Sequence, residues 1–296
     1  MHIKSAIEEC LVFINMARQS DRLVIGLPTG FLDLDRLTTG FHPGELVVVA
    51  GRTGVGKTGF MLSMAVHLAF NMKVPVAIFS LETSKHQLLL RMLSILSGVP
   101  LWNIRIGFVS DEAWRKLAKL GGELAGKRFY IDDSPRLSVA ELRERSKRLR
   151  EEKGIEVIFV DYLQLLKGPF ARNTRQEEVA DISIELKALA KELQIPVVVL
   201  AQLSRQVERR QDKRPQLMDL RDSGQIEEVA DMVLFIHRQE ERVAELIVAK
   251  NRQGPTGMVK LVFEKDTTAF KPLYFPDSRK AERYNPEDLE NFDLDF

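Results

Sequence analysis

Gly51-Arg52-Thr53-Gly54-Val55-Gly56-Lys57-Thr58 fits the pattern G-x-x-x-x-G-K-[ST]. It follows the apolar run Leu46-Val47-Val48-Val49-Ala50 and precedes Phe60-Met61-Leu62-Ser63-Met64-Ala65-Val66, whose spacing is helical. A strand, a glycine-rich turn and a helix form the context in which such a stretch cradles phosphate. Backbone N–H groups of the turn and the positive end of the helix face the anion. Lys57 can reach the terminal phosphates, and the Thr58 hydroxyl can ligate Mg²⁺. A glycine turn with an incidental lysine would leave both flanks unexplained. The stretch therefore predicts a nucleoside triphosphate site built from Gly51, Arg52, Thr53, Gly54, Val55, Gly56, Lys57 and Thr58.

Outward from this stretch, short apolar runs recur at Val76-Ala77-Ile78-Phe79, Val157-Ile158-Phe159-Val160 and Val197-Val198-Val199-Leu200. Continuous apolar runs separated by helical patterns read as a mostly parallel sheet covered on both faces by helices, an α/β layer fold. After residue 230 the runs crowd together, at 232–236, 246–249 and 258–263, which leaves no room for crossover helices. An antiparallel C-terminal extension is expected there. Ser138 with Glu141 forms a possible capping box opening a charged helix over 138–153. Pro28, Gly30, Gly40, Pro43 and Gly44 predict a turn-rich lead into the first core strand.

A triphosphatase also needs carboxylates. Asp161 ends the buried run 157–160, the arrangement of a metal-associated strand-end acid. Glu82 follows Phe79-Ser80-Leu81, so a parallel sheet brings it to the same carboxyl edge as Thr58 and Asp161. From there it could orient and deprotonate water; the alternative is an acid that stabilises the start of the next helix. Gln202 ends the run 197–201 and could sense the γ-phosphate, or be a solvated strand-end amide.

The 296 residues suffice for one large domain or two small ones. Hydrophobic residues at 45% and charged residues at 29% are those of an ordinary soluble protein. Lys and Arg number 43 against 42 Asp and Glu, so any nucleic acid must be bound through a local patch. Such a patch is offered by Arg205, Arg209, Arg210, Lys213 and Arg214, opposed only by Glu208 and Asp212; a solvated mixed-charge loop is the alternative. The single cysteine, Cys10, excludes an internal disulfide framework and a cysteine-based zinc site. No run of 18 apolar residues and no signal-peptide pattern is seen, so no membrane span is expected and the cytoplasm is the default location. Ile3, Ile7, Cys10, Leu11 and Ile14 share one helical face of a segment too short to be stable alone. Residues 1–19 thus read as a linker helix that docks on something. Residues 277–296, with seven acids and three bases, read as a frayed acidic tail, with a partner-binding peptide as the alternative.

Further stretches carry a resemblance. Leu32-Asp33-Leu34-Asp35-Arg36-Leu37 and Gly40-Phe41-His42-Pro43-Gly44-Glu45-Leu46 lead into the phosphate loop. Phe79-Ser80-Leu81-Glu82, Val160-Asp161-Tyr162-Leu163-Gln164-Leu165-Leu166, Ala201-Gln202-Leu203-Ser204-Arg205, Asp219-Leu220-Arg221-Asp222-Ser223-Gly224 and the run from Ala249 to Gly257 follow. In type, order and spacing these resemble the C-terminal RecA-like P-loop motor of the DnaB replicative helicases, over residues 20–276. The resemblance implies a homo-hexameric ring that hydrolyses ATP with Mg²⁺ at subunit interfaces and moves 5′ to 3′ on single-stranded DNA during replication. It makes Lys57 and Thr58 the phosphate and metal holders, Glu82 the catalytic base, Asp161 the metal-associated acid and Gln202 the sensor. Lys250 and Arg252 match a lysine and an arginine finger that reach the neighbouring subunit's γ-phosphate. The 205–214 loop, the turn with Arg221, Asp222 and Gly224, and a second loop over 167–176 with Arg172 and Arg175 would face a central channel and grip the DNA backbone.

The linker helix would then dock on the adjacent subunit, and a helicase loader is a possible partner. Family members carry an N-terminal collar that engages primase. Here Met1 begins almost at the linker, so a truncated form or a collarless relative is expected and primase binding is doubtful. The loop also reads Arg-Thr-Gly-Val where bacterial members often have a Pro-Ser-Met type of sequence, at positions that tolerate variation. The rival reading is a RecA-like, DNA-stimulated ATPase that acts in repair or as a switch without unwinding. It would share the nucleotide site without needing the basic loop.

Overall fold

The computed structural model describes residues 24–273 apart from 171, 205, 206, 209 and 224, together with positions 3, 4, 7, 11, 12, 14 and 15; the side chains of 221–223 are likewise outside the description. The acidic tail, most of the linker segment with Cys10, and Arg205, Arg209 and Gly224 lie outside the described residues. Those described between 3 and 15 are helical, and Ile3, Ile7, Leu11 and Ile14 are exposed.

The segment read as a turn-rich lead contains a short helix, α1 (Leu32–Thr38), between its glycines. Its Asp35 carboxylate accepts from the Thr29 amide at 2.8 Å and closes the turn before it. Strand β1 (Leu46–Gly51) then enters the centre of a nine-stranded sheet, and α2 (Lys57–Val66), continued by one π-helical turn over His67–Asn71, leaves it. There follow β2 (Val76–Ser80), α3 (Lys85–Ser97), α4 (Leu101–Ile106), α5 (Asp111–Ala125) and β3 (Phe129–Asp132). Next come α6 (Val139–Lys153), β4 (Val157–Asp161), α7 (Arg175–Leu193) and β5 (Val197–Gln202). A 3₁₀ turn over Leu217–Ser223 and the single-turn α8 (Ile226–Val229) lead to β6 (Met232–His237), β7 (Val243–Asn251), β8 (Gly257–Glu264) and β9 (Ala269–Pro272).

The strand order is β3-β2-β4-β5-β1-β6-β7-β8-β9. Pairings from β3 to β6 are parallel, and those from β6 to β9 antiparallel, as the crowding of apolar runs predicts. Successive residues of β1 feed opposite cores, as the two-residue period of a strand requires. Val47 and Val49 pack with Phe60, Met64 and Leu88 of α2 and α3. Leu46, Val48 and Ala50 pack with Leu142, Ile182 and Leu186 of α6 and α7. With both faces covered, β1, β2, β4, β5 and β6 are almost wholly buried, which is why their sequences are unbroken apolar runs.

The expected capping box opens α6: the Ser138 hydroxyl accepts from the Glu141 amide, and the Glu141 carboxylate accepts from the Ser138 amide at 2.9 Å. A second box, Thr174 with Glu177, opens α7. Among the described residues no helix is long and apolar enough to cross a membrane.

Candidate nucleotide site

The phosphate loop leaves β1 where β5 and β6 flank it: Gly51 is level with Gln202 on one side and Ile236 on the other. This is the carboxyl edge of the parallel strands, where α/β sheets bind ligands. Gly56 ends the loop at φ 103°, a conformation that glycine adopts without strain, and a Cβ there would lie 2.9 Å from the Phe270 ring. One turn later a Cβ on Gly59 would lie 2.3 Å from the Thr268 carbonyl oxygen, so the turn before β9 packs directly on the helix backbone. The start of α2 is thereby clamped in the direction that aims its amide groups at the loop.

Lys57 donates to the carbonyls of Gly51 and Arg52 at 3.0 and 3.1 Å. Burial lowers its pKa, while the Asp161 and Glu82 charges raise it again. Thr58 donates its hydroxyl to Asp161 at 2.8 Å. Asp161 is buried at the end of β4; burial pushes its carboxyl up, opposed first by that hydrogen bond. Glu82 stands two residues beyond β2 rather than at its end, exposed at the same edge. The Leu81 amide donates to the Asp161 carbonyl at 2.7 Å and so fixes Glu82 beside the loop. Gln202 closes β5 and donates its side-chain amide to the Thr53 hydroxyl at 2.9 Å. Among the described residues no cluster of three His, Cys, Asp or Glu could hold a metal ion on its own. A hydroxyl with one carboxylate behind it suits Mg²⁺, which takes few protein ligands and completes its shell with phosphate oxygens and water.

Sequence reasoning missed three parts of this neighbourhood. Gln164 exchanges side-chain hydrogen bonds with the backbone of Gln202, both at 3.1 Å, locking the end of β5. Arg238, just past β6, donates to the Gly54 carbonyl at 3.2 Å and lies over the Phe263 ring at 4.2 Å, with one buried guanidinium nitrogen unpartnered. Arg52 pairs with Glu208 across 156 residues of chain. Gln164 lies within the quoted 160–166 run; Arg238 and Glu208 carry no local signal, because each acts through a residue distant in sequence.

Lys250 and Arg252 are not brought to this loop. Val233 is level with Lys250 and Met232 with Asn251, so the pair sits at the amino edge of β6, whereas the loop sits at its carboxyl edge. About four residues of strand, or ~13 Å, lie between. There Lys250 donates to the carbonyls of Glu227 and Glu228 at 2.6 and 3.2 Å, and the Arg252 guanidinium bonds the Glu228 carbonyl. Burial lowers the Lys250 pKa, and the neighbouring Arg252 lowers it further.

The loop arginines are more occupied than their sequence suggests. Arg210 pairs with Asp219 at 2.6 Å and also donates to Gln216 and to the Arg214 carbonyl. Arg214 makes a two-pronged bond to Glu245 of β7 at 2.8 and 2.9 Å. Arg172 clamps Asp181 at 2.5 and 3.0 Å. Arg175 pairs with Glu178 and donates to the carbonyls of Gln164 and Leu166, both at 2.8 Å. Lys213 is exposed, and Arg221 and Asp222 lie on the 3₁₀ turn.

Comparison with known proteins agrees with this fold. The family profile described as DnaB-like helicase C terminal domain matches residues 26–272. The chain is 43% identical over 281 residues to the replicative DNA helicase DnaB of Geobacillus stearothermophilus, covering 92% of this chain and 62% of that protein. It is 45% identical over 259 residues to the replicative DNA helicase DnaC of Bacillus subtilis, covering 84% and 57%. Among solved structures, the ATPase domain of G40P superposes with a TM-score of 0.85 at 35% identity, covering 92% of this chain and 99% of that one. A DnaB-like replicative helicase studied with primase gives 0.83 at 35% identity, covering 93% and 67%. The chain therefore spans about 60% of the length of the curated relatives it matches.

Proposed function

This chain belongs to the DnaB-like helicase C-terminal domain family, and from that premise we propose that it is an ATP-driven motor that travels 5′ to 3′ along single-stranded DNA in replication. ATP would bind the phosphate loop with Mg²⁺: Lys57 and the loop amides would hold the phosphates, and Thr58 with Asp161 behind it would hold the ion, which would supply charge neutralisation at the phosphates. Glu82 orients and deprotonates the attacking water, and Gln202 carries the state of the γ-phosphate to the end of β5. The reading rests on one observation above the others. The triphosphate loop and the Lys250/Arg252 pair lie at opposite edges of one sheet, so each chain holds the donor half of one site and the finger half of another.

Copies arranged head to tail complete every site only when the arrangement closes, and a homo-hexameric ring is the closure we propose. The segment of residues 1–19 docks on the adjacent copy through Ile3, Ile7, Leu11 and Ile14. The α4–α5 corner, with Trp102, Phe108 and Trp114 each more than 60% exposed, offers it apolar surface. DNA passes along the 205–214 and 167–176 loops and the turn of Arg221, Asp222 and Gly224, gripped at its phosphates with little sequence preference. A helicase loader would open the ring; primase contact is not assigned to this portion.

The test is ATP hydrolysis with and without oligo-dT. Single-stranded DNA should stimulate turnover, and Arg252→Ala should abolish it while binding of a nucleotide analogue persists. Absence of stimulation refutes the motor reading. Stimulation without strand separation on a forked duplex would instead support a DNA-dependent switch.

A further inference from the structure

We propose that Glu208 is a positioning residue that ties the basic 203–216 segment to the phosphate loop through Arg52, so that nucleotide on the loop and single-stranded DNA on the segment alter each other's affinity. The inference rests on the DNA-binding reading given above and adds to it a route of coupling.

Arg52 occupies a variable position of the phosphate loop, yet its side chain is only 18% exposed. Its Nε donates to the Glu208 carboxylate at 3.0 Å, and Nη2 bonds the same oxygen. Nη1 reaches the Leu203 carbonyl at 3.5 Å. The Leu203 amide donates to the Gly51 carbonyl at 3.2 Å. The phosphate loop therefore holds the segment at its root, Leu203, and again five residues further on, at Glu208. Between these points the buried Val207 anchors the segment in the core, and beyond them Arg210 is fixed on Asp219. A shift of Gly51 or Arg52 therefore bears on Leu203 and Glu208 together.

The holder is also the nucleotide's own ligand set. The carbonyls of Gly51 and Arg52 carry the Lys57 ammonium. A phosphate oxygen that takes this ammonium takes it from the two residues that hold Leu203 and Glu208, and it places negative charge beside the guanidinium that Glu208 accepts from. Nucleotide thus competes with Glu208 for Arg52. Conversely, DNA phosphates drawn to this segment by bases such as the exposed Lys213 bring negative charge toward Glu208, repel its carboxylate and weaken its hold on Arg52. Competition for a shared partner is a coupling free energy, and such coupling is reciprocal.

Glu208→Gln tests this, since the glutamine keeps shape and loses the charge. The side chain is 58% exposed, and exposed ion pairs contribute little to stability, so the variant should unfold at the wild-type midpoint. Affinity for a fluorescein-labelled dT oligonucleotide is measured by anisotropy on the full chain, with and without a non-hydrolysable ATP analogue. Loss of a negative charge raises DNA affinity in both states alike and cancels in the ratio of the two dissociation constants. In the wild type that ratio should depart from unity by roughly 5- to 150-fold, and in Glu208→Gln it should fall to within about threefold of unity. A variant that keeps the wild-type ratio overturns the inference, as does a wild type whose ratio is unity although it binds DNA. A wild type that binds no dT in either state removes the DNA reading itself, and this inference with it.

Discussion

Asp231 joins the site to the stability of the fold. Its carboxylate accepts from the Leu46 amide at 2.8 Å and from the Lys187 ammonium at 2.5 Å, while Lys187 also donates to the Gly44 carbonyl at 2.9 Å. Its backbone carbonyl accepts from the Arg252 amide at 2.9 Å. One residue thus fixes the entry of β1, the flank of α7 and Arg252, just past the end of β7. Asp231→Ala deletes two charge-assisted hydrogen bonds, each about 1.5–3 kcal/mol, and leaves a cation facing an apolar hole. Lys187 is 22% exposed and can draw water, which favours the lower bound. The expected loss is about 3 kcal/mol. At a urea dependence of about 3 kcal/mol/M, fitting a chain of this size, the unfolding midpoint should fall by roughly 1 M. The double variant Lys187→Met/Asp231→Leu removes both charges and should recover most of the loss, because an unpaired buried ion costs more than no ion. A single variant costing less than about 1 kcal/mol, or a double variant no better than the single, would refute the assignment of this pair as the clasp of the central strand.

Other outcomes follow from the same geometry. Lys57→Ala and Arg252→Ala should each silence hydrolysis, yet subunits of the two variants assembled in equal amounts should regain activity at about a quarter of their interfaces, those pairing an intact loop with an intact finger. No recovery on mixing would mean that the finger acts within its own chain. Burial raises the Asp35 carboxyl to about 6. The folded state therefore holds that proton more tightly than the unfolded chain, and this stabilisation is complete below about pH 4 and lost as pH rises through 6. Asp35→Asn, which still accepts from Thr29, should raise the urea midpoint over wild type at pH 8 and not at pH 4; equal gains at both would contradict the assignment. Gly59→Ala should lower the midpoint although alanine favours helices by about 1 kcal/mol, because its Cβ meets the Thr268 carbonyl. A stabilised variant would show that the turn before β9 yields freely.

The nucleotide half of the site was legible because burial writes itself into sequence. Strands covered on both faces must be unbroken apolar runs, and the polar residues that end them, Asp161 and Gln202, fall at one edge by parallel pairing alone. Strand β3 escaped notice because it is half-buried at the sheet margin and reads Phe-Tyr-Ile-Asp, neither a full run nor a clean alternation. Helix α1 was hidden by the glycines around it. Ion pairing was the least legible feature. The 205–214 stretch shows five bases and two acids, but Arg210 and Arg214 are met by Asp219 and by Glu245, which the fold delivers from a 3₁₀ turn and a strand. Sequence distance says nothing of such partners, so the free charge of a basic loop is overcounted until the fold is known.

If the Lys250/Arg252 pair serves as the proposed finger, its separation from the loop across the sheet gives the chain a polarity. A two-fold dimer, which matches like with like, would place loop against loop and finger against finger and complete no site. Two chains in head-to-tail contact complete one site and leave two unlike ends exposed, so an open chain of n copies always has one fewer working site than subunits. The turn from one copy to the next then decides between a circle, which abolishes the deficit, and an unbounded spiral, which carries it along. A ring of the proposed kind, once opened, would be one site short by construction, and that arithmetic would make breaking and closing the circle a switch.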